Sequence, residues 1–159
     1  MRNFFLLFII SFSFNSNLYS QDLLKERIWK ISDRKRSIFI DKGVFHSETN
    51  TMHQELVGVR SSYVPSRGYE RIVFDFSTEN PPKVYGKIDK KEKKLYVDFF
   101  NTSMNPSVKE LKSVKYLKNL KFFNIDKKDL SVELLFDERV GFDIFILKKP
   151  ARLVIDVKK

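Results

Sequence analysis

The chain has 159 residues and no cysteine, with 30 Lys and Arg against 20 Asp and Glu, a formal net charge of +10. That length accommodates one domain of ordinary size, and the lack of cysteine excludes a disulfide framework, so burial must hold the fold. Sixteen phenylalanines supply the bulk to bury.

Residues 1–20 read as a secretory signal peptide. Arg2 gives a short positive start, Phe4 to Phe14 an apolar stretch, and Ser20 a small residue before a cut at Gln21. The stretch is short for a membrane span of about 20 apolar residues, and no cysteine stands at the cut to carry a lipid. The expected location is the periplasm or cell envelope, with no integral span after cleavage. Nucleic acid is then a poor partner for the positive charge. Cell-wall glycan with acidic stem peptides, anionic headgroups and acidic proteins remain.

Residues 21–54 form an N-terminal extension. Asp22 to Glu26 could open a helix, and Ile28–Ile31 and Ser37–Ile40 have the apolar character of short strands about a basic turn at Asp33–Arg36. Asp41–Gly43 reads as a turn, and Ser47–Thr51 as a polar loop.

From residue 55 onward, alternation with period two governs. A first unit, about 55–100, begins at Leu56–Val59 and passes a loop at Tyr63–Gly68. It continues through a strand at 71–76 with Ile72, Phe74 and Phe76 inward, and breaks at Glu79–Pro82. Val84, Gly86 and Ile88 then alternate with Tyr85 and Lys87. A charged hairpin turn at Asp89–Lys94 leads to Leu95, Val97 and Phe99. Asn105 followed by Pro106 suits a helix start, so the linker predicts a short helix through Leu111.

A second unit, about 114–159, repeats the plan. Tyr116 to Ile125 is followed by a turn at Asp126–Asp129 and the inward set Val132, Leu134 and Phe136. A turn at Asp137–Gly141 precedes Phe142, Ile144 and Ile146, and Lys148–Pro150 turns into Leu153, Ile155 and Val157. The predicted fold is all-β: a β-sandwich of two similar small sheets built from an internal repeat, with one short linker helix. The outward positions Leu135, Phe145, Leu147 and Val154 make the second unit apolar on both faces. The expected cover is the N-terminal segment with Ile28, Trp29, Ile38 and Phe39, or a partner protein.

The closing string Phe145-Ile-Leu-Lys-Lys-Pro-Ala-Arg-Leu-Val-Ile-Asp-Val157 resembles the end of the AMIN domain. Val57-Gly-Val-Arg60 and Arg71-Ile-Val-Phe-Asp-Phe76 resemble its opening strands. The resemblance covers about residues 55–159. It implies a β-sandwich of two similar sheets that binds the cell wall and places an enzyme or secretin there, without catalysis of its own.

Catalytic residues are not expected. His46 and His53, near Glu48 and Glu55, match no helical metal-ligand pair, and solvated histidines are the better reading. No nucleophile motif or phosphate-cradling glycine loop occurs, so neither a metal nor a cofactor is expected. Asp75, Asp98 and Asp156 read as strand caps or as partners for nearby Arg71 and Arg152. For binding, the candidate set is one sheet face with Tyr85 and Tyr96 to stack on sugars and Arg60, Arg71 and Lys87 to hold carboxylates. Two roles follow: a peptidoglycan-binding module, or an accessory subunit docking onto a secretin, pilus or other envelope complex through its more apolar sheet.

Overall fold

The computed structural model describes residues 27–33, 39–47, 52–109, 111, 113–126 and 128–159. The expected signal peptide, the helix start at 22–26, Ile38 and Glu48 lie outside them. Eleven strands follow in chain order: β1 Ile28–Lys30, β2 Gly43–His46, β3 Gln54–Val64, β4 Tyr69–Phe76, β5 Val84–Asp89, β6 Lys94–Phe99, β7 Thr102–Met104, β8 Leu117–Asn124, β9 Leu130–Phe136, β10 Gly141–Leu147 and β11 Arg152–Lys158. They form a six-stranded sheet, β1-β2-β5-β6-β9-β8, and a five-stranded sheet, β10-β11-β4-β3-β7. The protein is an all-β sandwich.

Each expected unit is divided between the sheets. The first gives β3 and β4 to the five-stranded sheet and β5 and β6 to the other; the second gives β8 and β9 to the six-stranded sheet and β10 and β11 to the five-stranded one. Replacing β3, β4, β5 and β6 by β8, β9, β10 and β11 turns the order β5-β6-β9-β8 into β10-β11-β4-β3. The correspondence reaches single residues. The β3–β4 ladder slips between Leu56 and Gly58, and the β8–β9 ladder between Leu117 and Asn119. Phe76 N–H donates to the Ala151 carbonyl, as Phe136 N–H does to that of Lys93, both at 3.0 Å. A unit with one apolar face per hairpin is completed only by the hairpins of the other unit, which is why the halves interleave.

The core lies between the sheets. Phe74 and Phe76 of β4 meet Phe99 of β6 at ring separations of 5.4 and 5.2 Å, and Phe136 of β9 meets Phe142 of β10 at 5.2 Å. Each of these buried rings contributes roughly 2–3 kcal/mol by leaving water. The turns expected at Asp89–Lys94 and Asp126–Asp129 use one device. Asp89 Oδ1 accepts from the N–H groups of Lys91 and Glu92, and Asp126 Oδ1 from those of Lys128 and Asp129.

Three expectations are corrected. Among the described residues of the linker no helix forms: Asn105 Oδ1 accepts from the N–H and hydroxyl of Ser107, and Val108 N–H bonds the Asn105 carbonyl, closing a single turn. A helix nucleus this short is unfavourable without an apolar stripe to pack. The loop after Tyr63 is a 3-10 turn at Pro65–Arg67 that begins only after β3 has run to Val64.

The N-terminal segment, thirdly, is more than a cover. Residues 43–46, between the turn expected at Asp41–Gly43 and the loop expected from Ser47, are β2, which pairs with β5 and buries Phe45 completely. Between β1 and β2 the chain crosses to the other sheet, where Ser32 bridges to Phe145 and Ile40 to Phe142. Ile40 and Phe142 exchange both backbone hydrogen bonds. This excursion stitches one side of the sandwich shut.

Candidate functional site

Alternation places Tyr85, Lys87 and Tyr96 outward, as expected, but outward of the six-stranded sheet. Arg60 and Arg71 face outward from the five-stranded sheet, on the opposite side of the sandwich. The candidate set is therefore two surfaces. Period two tells in from out, and the division of each unit between the sheets decides which outside.

The two arginines are also engaged. Arg60 donates from Nε and Nη2 to both Asp75 oxygens at 2.8 and 3.0 Å. Arg71 donates to both oxygens of Asp156 at 2.6 and 2.7 Å and lies over the rings of Tyr69 and Phe145. Hydrogen bonding to these carboxylates raises both guanidinium pKa values. The forks expected to hold a ligand's carboxylate already hold the protein's own. The recurring aspartates are thereby explained by position: Asp156 opposes Arg71, and Asp98 opposes Ser131, whose hydroxyl donates to it at 2.6 Å. Arg152, expected as an aspartate partner, donates instead to the Pro150 carbonyl.

Arg71→Lys should lower stability by about 1 kcal/mol, because a point charge replaces a fork and a stacking plane. Denaturant unfolding measures this. An unchanged midpoint would show that the paired geometry contributes nothing.

The outer residues expected to make the second unit apolar also separate. Leu135 belongs to the six-stranded sheet, while Phe145, Leu147 and Val154 join Val73 on the five-stranded one. That cluster is not an open patch: Phe145 is 3% and Val154 2% exposed. Of the expected cover, Phe39 lies at the end of this sheet beneath Lys158 Nζ, 4.1 Å from its ring. Trp29 packs toward the main core, and Ile28 is exposed.

What remains open is the outer face of the six-stranded sheet from β5 to β8; at its β2 end Val44 is buried. The register sets His46, Tyr85, Asp98, Ser131 and Phe123 in one row, and Val44, Lys87, Tyr96, Glu133 and Lys121 in the next. Tyr85 is 41% and Phe123 49% exposed. Tyr85 and Tyr96 are diagonal neighbours, so their side chains lie roughly 7–8 Å apart. Three strand spacings separate Tyr85 from Phe123, roughly 14 Å. Phe123 and Lys121 were missed because only topology brings β8 to this face. The signal was the pair Phe122–Phe123, which in a strand must turn one ring outward.

Tyr96 is the most constrained member. Its hydroxyl donates to Glu92 at 3.1 Å, and Lys94 bridges Glu92 and Glu133 at 3.2 and 3.3 Å. Burial, with help from Glu92, pushes the Tyr96 hydroxyl above its ordinary range. A group raised by folding stabilises fully below its unfolded value, and that stability is lost as pH rises through the folded one. Burial raises Tyr116 as well, so ultraviolet titration of the folded protein should show late-ionising tyrosines above about pH 10, one of which Tyr96→Phe removes. Loss of the early phase instead would contradict the assignment.

His46 sits beside Tyr85, and His53 Nε2 lies 3.3 Å from Ser103 Oγ. Among the described residues, no three His, Cys, Asp or Glu side chains converge as a metal site, and no helix is long and apolar enough to cross a membrane. No protein-family model matches the chain, and no curated protein matches it in sequence.

Proposed function

We propose that the protein is a non-catalytic binding module of the cell envelope that holds peptidoglycan on the outer face of its six-stranded sheet. One observation carries this reading: an open face on which exposed Tyr85 and Phe123, half-buried Tyr96 and the exposed Lys87 and Lys121 stand in adjacent rows. Flat rings suit the apolar faces of sugars, and ammonium groups suit the carboxylates of stem peptides. The net charge of +10 favours encounter with an acidic polymer. The resemblance of the closing strands to the AMIN domain, and the signal-like residues 1–20, agree with an exported module that positions itself or a partner. Arg60 and Arg71 are left out of the binding set because Asp75 and Asp156 occupy them.

Co-sedimentation with purified peptidoglycan sacculi across a salt series tests the proposal. Binding should saturate and weaken with salt. Replacing Tyr85 and Lys87 by alanine should reduce affinity at least about fivefold, equivalent to about 1 kcal/mol, while Arg60→Ala should leave it unchanged. No sedimentation at low salt, or equal loss in Arg60→Ala, would overturn it.

A second reading, an accessory subunit docking onto an envelope protein complex, is favoured by a different surface, the exposed edge at β8.

A further inference from the structure

The four strands that end the two repeated hairpin pairs are β5, β10, β3 and β8. Three of them carry more chain: β5 has β2, β10 is bridged by Ser32 and Ile40, and β3 is joined over Gln54–Leu56 by β7. Among the described residues, β8 carries no further strand on its free side. Ile125 N–H donates to the Asp129 carbonyl, which sets the phase of the β8–β9 ladder. By antiparallel alternation, Phe123 and Lys121 then bond to β9, while Phe122 and Asn124 turn their backbone groups to the free edge.

An open groove of about 590 Å³ runs along this edge, lined by Met104, Val108, Leu120, Phe122 and Phe123. Its charge is mainly positive. β8 holds Lys118 and Lys121 and no carboxylate, and exposed Lys109, Lys115 and Lys128 stand near its ends. The carboxylates beside them are Asp126, which accepts from turn N–H groups, and Asp137, which the exposed Lys118 meets only at 3.8 Å. Lysines on an edge strand discourage pairing with a like-charged strand, so a second copy of β8 is a poor occupant. They favour an acidic strand with apolar side chains on its other face.

We infer that the β8 edge is a docking site for an extended acidic segment of a partner protein, which adds to the six-stranded sheet as a further strand. Its backbone would pair with Phe122 and Asn124. Its apolar side chains would enter the groove at Met104 and Val108, and its carboxylates would meet Lys118 and Lys121. This inference does not rest on peptidoglycan binding, and the two separate experimentally.

The test is amide hydrogen exchange on the isotope-labelled protein, titrated with a short synthetic peptide alternating glutamate and valine. Exchange at Phe122 and Asn124 should slow at least about tenfold at saturation, as a new backbone hydrogen bond requires. A peptide alternating lysine and valine should produce no slowing. The double variant Lys118→Glu, Lys121→Glu, confined to exposed side chains, should weaken the acidic peptide at least about tenfold. Tyr85→Ala should bind it normally. Unchanged exchange with the acidic peptide would overturn the inference, as would equal effects of both peptides. Protection of these amides without peptide, in a protein that sediments as a dimer, would overturn it in favour of a second copy.

Discussion

Replacing Glu70 by alanine is expected to cost on the order of 4 kcal/mol of folding stability, since each buried donor left without a partner costs about 1–3 kcal/mol. Glu70 is completely buried. Its Oε2 accepts from three successive backbone N–H groups, those of Lys115, Tyr116 and Leu117, at 3.2, 2.5 and 3.0 Å. Its Oε1 accepts from the Ser61 hydroxyl at 2.6 Å. One carboxylate thus fastens the entry of β8 to β3 and β4 across the sandwich. Glu70→Gln keeps a carbonyl for the three N–H groups and an amide that can donate to Ser61, so about 1–2 kcal/mol is expected from the lost charge. Denaturant unfolding of both variants checks the order. A loss below about 1 kcal/mol for alanine would mean that water reaches these groups.

Gly86→Ala should destabilise by about 1–3 kcal/mol despite adding only a methyl group. Gly86 lies mid-strand in β5 opposite Phe45 of β2, and a Cβ there would stand 1.9 Å from Phe45 Cζ. The ring, fully buried, lies across the bare backbone of its neighbour. Phe45→Ala alone should cost about 3–5 kcal/mol by cavity formation. The two changes should be less than additive by about 1 kcal/mol or more, because removal of the ring makes room for the methyl group. Strict additivity would show that the clash relaxes elsewhere.

Gly86 also marks how far the sequence was legible. Alternation identified it as inward-facing between Val84 and Ile88, and identified the inner sets of β4, β6, β9, β10 and β11 as they stand in the fold. Nothing local could reveal that its missing side chain is replaced by Phe45, a residue some forty positions earlier. The short strands β2 and β7 escaped notice for the same reason. Three or four residues carry too little periodicity, and their pairing partners are distant in the chain. The candidate site fared similarly. Tyr85, Lys87 and Tyr96 were placed correctly as outward. Arg71 was grouped with them because its outwardness was legible and its sheet membership was not, and Arg60 because it follows the first expected strand, Leu56–Val59. The linker misled in another way: Asn105 does accept from a nearby N–H group, but the same local bond starts a turn as readily as a helix.

The place of β11 has a kinetic consequence. It is the last strand in the sequence, yet it lies inside the five-stranded sheet, paired with β10 on one side and with β4, some eighty residues earlier, on the other. A chain emerging from a ribosome or a translocation pore amino end first can form the β5–β6 hairpin early. It cannot bring β4 to its second neighbour until residues 152–158 are free. Closing so long a loop before its contacts form places such topologies among the slow folders, on the order of milliseconds to seconds. During that interval the phenylalanine-rich strands are exposed to one another and to other chains. Vectorial synthesis would therefore deliver an unfinished molecule, whose sandwich closes only after residues 152–158 have emerged.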